Sequence, residues 1–257
     1  MAAKLLTHSG HDFERLLSRW EALADRSGWQ LNTLAEDGGF PVLVVENREA
    51  ETKDAPGVYL SAGVHGDECA PVWGLLQWAE EAANREFTRP FVVFPCLNPH
   101  GLVHNIRRDH NGVDLNRKFH DPDQPLIAKW QRFLEGRRFD FSLNLHEDYD
   151  TTGIYLYELA RKESIGHRLL AACEDVICRE PLQEVDGRQF EYGLLKAEGK
   201  DVWNILRDEL DGDCPEAIHL YLHQRAHALT FETPSEMDLS RRVETHRRLV
   251  HAAVKML

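Results

Sequence analysis

Residues 57–86 read GVYLSAGVHGDECAPVWGLLQWAEEAANRE. The first eight are almost wholly apolar and predict a strand over 57–64 that ends at His65. From about residue 71, Val72, Leu75, Leu76 and Ala79 recur at helical spacing and predict a helix over 71–86. A strand that runs directly into a helix is half of a β-α-β unit, and the flanking sequence supplies the other half. Residues 91–97 are a continuous apolar run, the pattern of a buried parallel strand. Further along, helices are expected over 126–138, 164–179 and 238–256. Strands are expected over 139–145, 153–159 and 226–232. Upstream, Phe13, Leu16, Leu17, Trp20, Leu23 and Ala24 predict a helix over 11–26. Two strands, 30–35 and 41–46, flank the turn Asp37-Gly38-Gly39. Residues 180–216 read as loops with one or two short elements. Alternating strands and helices imply an α/β fold, a mixed and mostly parallel sheet between helices. No repeat or linker divides the 257 residues, so a single domain is expected, with residues 1–50 integrated into it.

Composition narrows the function. Lys and Arg number 30 against 43 Asp and Glu, a net charge of −13, which argues against nucleic acid and anionic membrane partners. No apolar stretch approaches the roughly 20 residues of a transmembrane helix. Residues 1–18 lack the apolar run of a signal peptide. Cys69, Cys96, Cys173, Cys178 and Cys214 are odd in number and scattered, with no CxxC pair. They read as reduced, mostly buried thiols of a cytoplasmic protein. A chain this long buries about three quarters of its unfolded surface and needs no metal to fold, so a metal would serve chemistry.

The chemistry gathers where the predicted strands end. His65 and Glu68 follow the strand 57–64, His146 follows 139–145, and Glu232 closes 226–232. In open α/β sheets ligands bind beyond these carboxyl ends. Two histidines and a carboxylate with one open position make a catalytic zinc set, and a further carboxylate supplies a general base. Residues 98–124 carry Asn98-Pro99-His100-Gly101, Arg107 and Gly112-Val113-Asp114-Leu115-Asn116-Arg117 without periodicity. A long unpatterned segment of this kind is usually functional. Its arginines and asparagine offer donors for a carboxylate and an oxyanion.

In order, the motifs Gly-Val-His65-Gly-Asp-Glu68, Asn98-Pro-His-Gly, Arg107, Asp-Leu-Asn116-Arg117, Asn-Leu-His146 and Thr-Phe-Glu232-Thr-Pro resemble the zinc carboxypeptidase family, peptidase family M14. The compact murein peptide amidases are similar in length and loop wording. The succinylglutamate desuccinylase/aspartoacylase branch shares the skeleton. The resemblance spans about residues 57 to 250. It implies that His65, Glu68 and His146 hold one zinc ion and that Glu232 is the general base. It implies that Arg107 stabilises the oxyanion and that Asn116 and Arg117 grip the leaving residue's carboxylate. Arg108 rivals Arg107, and the nine residues between Arg107 and Asn116 favour the latter.

The expected function is metallocarboxypeptidase-type hydrolysis of an amide beside a residue with a free carboxylate, in a small peptide or N-acyl amino acid. A deacylase of N-acyl amino acids is the nearest alternative, and a non-catalytic binding module is a remote one. The family usually carries Asp where His100 stands. Tyr221, eleven residues before Glu232, is not equated with the mobile tyrosine of digestive relatives. Glu147, Asp148 and Asp150 form either a solvated acidic turn or a contact for a substrate amine. His104, His110 and His120 read as surface residues outside the ligand set.

Overall fold

The computed structural model describes residues 10–47, 56–83, 85, 87, 89–185 and 187–256, with backbone alone at 208 and 209. Helix α1 (Phe13–Ser27) is capped by the Asp12 carboxylate and closes on Gly28 in a left-handed conformation. Strands β1 (Gln30–Asp37) and β2 (Phe40–Glu46) form a hairpin. Gly38 and Gly39, with φ of 57° and 89°, make the two-residue turn that only glycine-like residues adopt cheaply. Then come β3 (Gly57–Ala62), α2 (Cys69–Ala82), β4 (Phe91–Phe94), α3 (Pro99–His104), α4 (Pro125–Leu134), β5 (Phe139–Asp148), β6 (Tyr155–Ala160) and α5 (Gly166–Ala171). The chain closes with the small ribbon β7 (Glu184–Val185) and β8 (Arg188–Gln189), then β9 (Leu194–Glu198), α6 (Lys200–Asn204), α7 (Glu216–His223), β10 (His227–Pro234) and α8 (Leu239–Lys255).

Eight strands form one sheet in the order β1-β2-β4-β3-β5-β10-β6-β9. The pairs β3–β4, β3–β5, β5–β10 and β6–β9 are parallel, and β1–β2, β2–β4 and β6–β10 are antiparallel. This is the α/β architecture expected, with the parallel run β4-β3-β5-β10 at its centre and one further parallel pair, β6–β9, at an edge.

Because strand side chains alternate, the sheet has two faces of different chemistry. On one face, Leu60, Leu143, Leu145, Leu156, Leu229 and Phe231 pack with residues of α1, α2, α5 and α8 in a continuous apolar core. Helices α2 and α8 approach closely there, since a Cβ on Gly74 would lie 2.4 Å from that of His246. The other face has separate apolar clusters. One holds Tyr59, Phe94 and Trp130 of α4, another holds Leu159, Ala228 and α7 residues, and a small one holds Tyr155, Val185 and Phe190. Between the first two run Ser61, Ser142, Asn144 and Thr230, a polar stripe.

Several boundaries differ from the sequence expectation. Helix α2 starts at Cys69, earlier than residue 71, because the buried Glu147 carboxylate accepts the Ala70 N–H of its first turn at 2.9 Å. It ends at Ala82; residues 84 and 86 of the expected helix lie outside the described residues, as do 1–9 and 48–50 of the N-terminal region. The helix expected over 164–179 is only α5, Gly166–Ala171. Beyond it the chain tightens into i→i−3 turns that keep Cys173 and Ile177 buried against the α8 side of the sheet. The unpatterned 98–124 segment contains α3, whose Asn98 side chain accepts the Gly101 N–H at 2.7 Å, and a 3₁₀ turn at Leu115–Arg117. Residues 180–216 hold more structure than foreseen, including β9, which joins the main sheet, and a π-helical turn at Ile205–Glu209.

Candidate active site

Past the end of β3, Gly63 turns at φ 62° and delivers His65 to the carboxyl edge of the sheet. A Cβ on Gly66 would lie 2.0 Å from the Gly101 carbonyl carbon, so the Asn-Pro-His-Gly turn rests directly on the His65 loop. Glu68 occupies the cap position of α2, and His146 sits near the end of β5. Glu232 of β10 is the register partner of His146, so the two side chains leave the sheet on the same face, that of the polar stripe.

His65, Glu68 and His146 are all buried, and their ligand atoms lie within 4.8 Å of one another. His65 Nδ1 is 2.5 Å from Glu68 Oε1, and His146 Nδ1 is 3.0 Å from Glu68 Oε2. The outer nitrogen of His65 faces Asp114 Oδ1 at 3.3 Å. Asp114 Oδ2 accepts from Arg107 Nε at 3.0 Å. A carboxylate behind a ligand histidine fixes its ring and tautomer. Asp114 was not singled out in the sequence; its place two residues before Asn116, in the same motif, was the available signal. The Glu147 N–H donates to Glu68 Oε2 at 3.1 Å and steadies that carboxylate.

The electrostatics match the geometry. Burial alone would raise the Glu68 carboxyl, but His65 and His146 hold it well below the ordinary range. Burial disfavours the His65 cation, yet Glu68 and Asp114 outweigh it and carry that ring up to about 9. Glu232 is pushed well above its ordinary value, first by burial and then by the negative Glu68 and Asp148; Arg107 opposes them. Among the described residues its buried Oε2 has no hydrogen-bond partner. Two imidazoles and a carboxylate converging on one point, beside a carboxylate oxygen left unpaired, fit a divalent zinc ion well.

A cavity of about 440 Å³ opens here. His65, Glu68, His146, Glu232, Arg107, Asn116 and Arg117 all border it, so the structure brings together every residue of the expected set. Arg108 is not among its lining residues; its guanidinium donates to the Gly112 carbonyl at 3.0 Å. Asn116 Oδ1 accepts the Glu216 N–H at 2.9 Å, which leaves the donor end of that amide for the cavity. Arg117 donates to the Asn116 carbonyl at 3.1 Å and lies 3.8 Å from Asp213, with over a third of its side chain exposed.

The acidic tail after His146 separates into three roles. Glu147 is fully engaged, taking the Ala70 N–H, the Arg242 guanidinium and the Thr233 hydroxyl. Asp148 borders the cavity and accepts the Tyr155 hydroxyl at 2.7 Å. Asp150 is exposed. Tyr221 is buried and bonded to Gly199 and Ala160, and is not among the cavity residues. Tyr155, Tyr157 and Arg188 do border it and had no motif to announce them. His104, His110 and His120 are exposed and stand apart from the triad. His110 gathers with Asp37 and Asp109, but the Asp37 oxygens already hold the His100 and His110 N–H groups and the His110 ring.

Residues 54–177 match the family model of the succinylglutamate desuccinylase/aspartoacylase catalytic domain. Carboxypeptidase SOL1 of Arabidopsis thaliana is 30% identical over 133 residues, 42% of this chain and 26% of that protein. Cytosolic carboxypeptidase 1 of Gallus gallus is 26% identical over 126 residues, 46% of this chain and 10% of that protein. The chain thus spans about a quarter and a tenth of the curated relatives it matches. A candidate metallopeptidase from Shewanella denitrificans superposes with a TM-score of 0.81 at 20% identity, over 96% of this chain and 91% of that one. A metallo-carboxypeptidase from Burkholderia cenocepacia gives 0.68 at 16% identity, over 94% and 68%. At these identities the structural likeness is one of fold. The matched model and the curated carboxypeptidases support the zinc carboxypeptidase-like family expected from the motifs, and the solved structures share its fold.

Proposed function

We propose that this carboxypeptidase-like chain is a zinc-dependent hydrolase that cleaves an amide bond next to a residue with a free carboxylate. The observation that carries this is the joint lining of one cavity by the His65–Glu68–His146 triad, Glu232, Arg107 and the Asn116–Arg117 pair. His65, Glu68 and His146 would hold the ion. When bound, zinc supplies a Lewis acid that polarises the substrate carbonyl and lowers the pKa of water towards ~7.

The chain's own residues do the rest. Arg117 presents a planar fork to the free carboxylate and Asn116 adds its amide donor, so the scissile bond is held in one orientation. Glu232 accepts a proton from the attacking water and returns it to the leaving nitrogen. Arg107, held at Nε by Asp114 and with Nη1 3.2 Å from His65 Nδ1, offers its other terminal nitrogen to the oxyanion that develops at the carbonyl. The cavity is also lined by Leu159, Leu195, Ile205, Ala217 and Ile218, which suits an apolar leaving side chain.

Removal of an acyl group from an N-acyl amino acid is the second reading, favoured by the family match over residues 54–177. It uses the same triad and the same carboxylate grip. Matched substrates decide between the readings. A free-acid peptide should react far faster than its C-terminal amide, and Arg117→Ala should erase the difference by slowing only the acid. Equal rates for acid and amide with the unmodified protein would refute the carboxylate grip. With the acid preferred, exchanging the peptidyl side for simple acyl groups separates peptidase from deacylase.

A further inference from the structure

Glu216 is a buried carboxylate that the chemistry above does not use. It is 1% exposed and opens α7. Its side chain turns inward, where it accepts the Tyr59 hydroxyl and the Ser61 hydroxyl, the latter at 2.9 Å, with Asn144 as a further donor. Trp130 Nε1 donates to Tyr59 at 2.9 Å, and Asn144 Nδ2 donates to Ser61 at 2.9 Å. Among the described residues none of these partners is a cation. A buried carboxyl held only by neutral groups is costly, and an apolar residue would anchor a helix at less expense in stability.

The partners explain where Glu216 acts. Tyr59 and Ser61 belong to β3, the strand that delivers His65. Asn144 lies two residues before His146 on β5. The Glu216 backbone N–H holds Asn116 Oδ1 at 2.9 Å, and the next two residues, Ala217 and Ile218, wall the cavity. One residue therefore ties the two ligand-bearing strands to the amide that faces the leaving group. We infer that Glu216 is a positioning residue for the carboxylate grip: by anchoring the start of α7 to β3 and β5 it fixes the orientation of the Asn116 amide and its distance from the triad. The inference rests on the proposed role of Asn116 and Arg117.

The test uses the zinc-loaded full chain with a free-acid peptide and its C-terminal amide, in the unmodified protein and in Glu216→Gln, Glu216→Ala and Arg117→Ala. Gln keeps the shape and can satisfy the same hydroxyls, whose hydrogens rotate. Glu216→Ala should raise KM for the free acid at least ~10-fold, the scale of a lost hydrogen bond to a charged group. Its zinc content and its kcat for the amide should stay near those of the unmodified protein, and Glu216→Gln should restore KM. If Glu216→Ala fails to fold, Glu216→Asp serves, because it keeps the carboxyl group but cannot reach Tyr59 and Ser61 without dragging α7. Unchanged KM in Glu216→Ala, or in Glu216→Asp where Ala does not fold, while Arg117→Ala abolishes acid preference, overturns the inference and leaves the carboxylate grip standing. If Arg117→Ala changes nothing, the carboxylate grip falls instead. The Asn116 side-chain NH₂ signal in a ¹⁵N–¹H spectrum, identified by its loss in Asn116→Asp, then decides the positioning by itself. It should move in Glu216→Ala and return in Glu216→Gln, and a stationary signal overturns the inference.

Discussion

The two faces of the central sheet are made by the same strands, one residue apart. Phe231 points into a continuous apolar core with α2 and α8, while its neighbours Thr230 and Glu232 point to the cavity. On the core side the sheet is packed as proteins normally are. On the site side apolar packing is interrupted by Ser61, Ser142, Asn144 and Thr230, and two buried carboxyls, Glu68 and Glu216, accompany that stripe with the half-buried Glu232. Among the described residues Ser142 Oγ, Asn144 Oδ1 and Glu232 Oε2 have no hydrogen-bond partner. Stability comes mainly from one face, and the other spends some of it to hold polar groups away from water at a chosen place.

The sharpest way to break this comparison is to change adjacent residues. Glu232→Gln should lower kcat/KM by ~10²–10⁴-fold, the range for loss of a general base. It should leave the unfolding midpoint unchanged or higher, since a buried unpaired carboxyl is removed. Phe231→Ala, next in the chain but on the core side, should cost about 3–5 kcal/mol in denaturant unfolding. Its folded fraction should keep near-normal kcat. If both variants lose activity and stability together, the division between faces is wrong.

Arginine neighbours sharpen the same contrast on the site side alone. Arg107→Ala should lower kcat by ~10²–10³-fold, as removal of an oxyanion donor does. Arg108→Ala, whose guanidinium holds the Gly112 carbonyl outside the cavity lining, should stay close to the unmodified rate. Steady-state kinetics on one substrate decides this, and equal losses would put Arg107 outside the chemistry.

The smallest effect is one of pH. Burial pushes the Glu216 carboxyl up from 4.5 to about 7, so folding favours its protonated form. Its contribution to stability is therefore lost as pH rises from about 4.5 through 7 and is level above that. Glu216→Gln removes this dependence. The stability difference, Gln variant minus unmodified protein, should grow across that window in thermal unfolding and then plateau. A difference that is flat with pH would mean the carboxyl is not buried as described.

Much of this was legible in the sequence because strand ends and motif spacing are local. His65, Glu68, His146 and Glu232 each follow an apolar run, and the loop motif carries Arg107, Asn116 and Arg117 at fixed distances. What stayed illegible depends on contacts distant in sequence. The start of α2 at Cys69 is set by Glu147, 78 residues away in the chain. Strand β9, with its short Leu-Leu-Lys-Ala-Glu pattern, becomes a strand only by pairing with β6. The two tyrosines of β6 reach the cavity through the register of the sheet, and Arg188 reaches it from the separate β7–β8 ribbon. The polar stripe was invisible for the same reason: Ser61, Asn144 and Thr230 look like ordinary strand residues until three strands align them. Glu147 shows the converse, an acidic residue beside His146 that is locked to Arg242 and α2.

The central claim is that His65, Glu68 and His146 form one zinc site that serves the cavity. Titration of chelator-stripped protein with zinc, followed by calorimetry and by metal analysis of the product, tests it most directly. The account predicts one tightly held ion per chain, retained in Glu232→Gln and lost or greatly weakened in His146→Ala, with activity returning in step with occupancy only where Glu232 is intact. Zinc bound as tightly by His146→Ala as by the unmodified protein would contradict it.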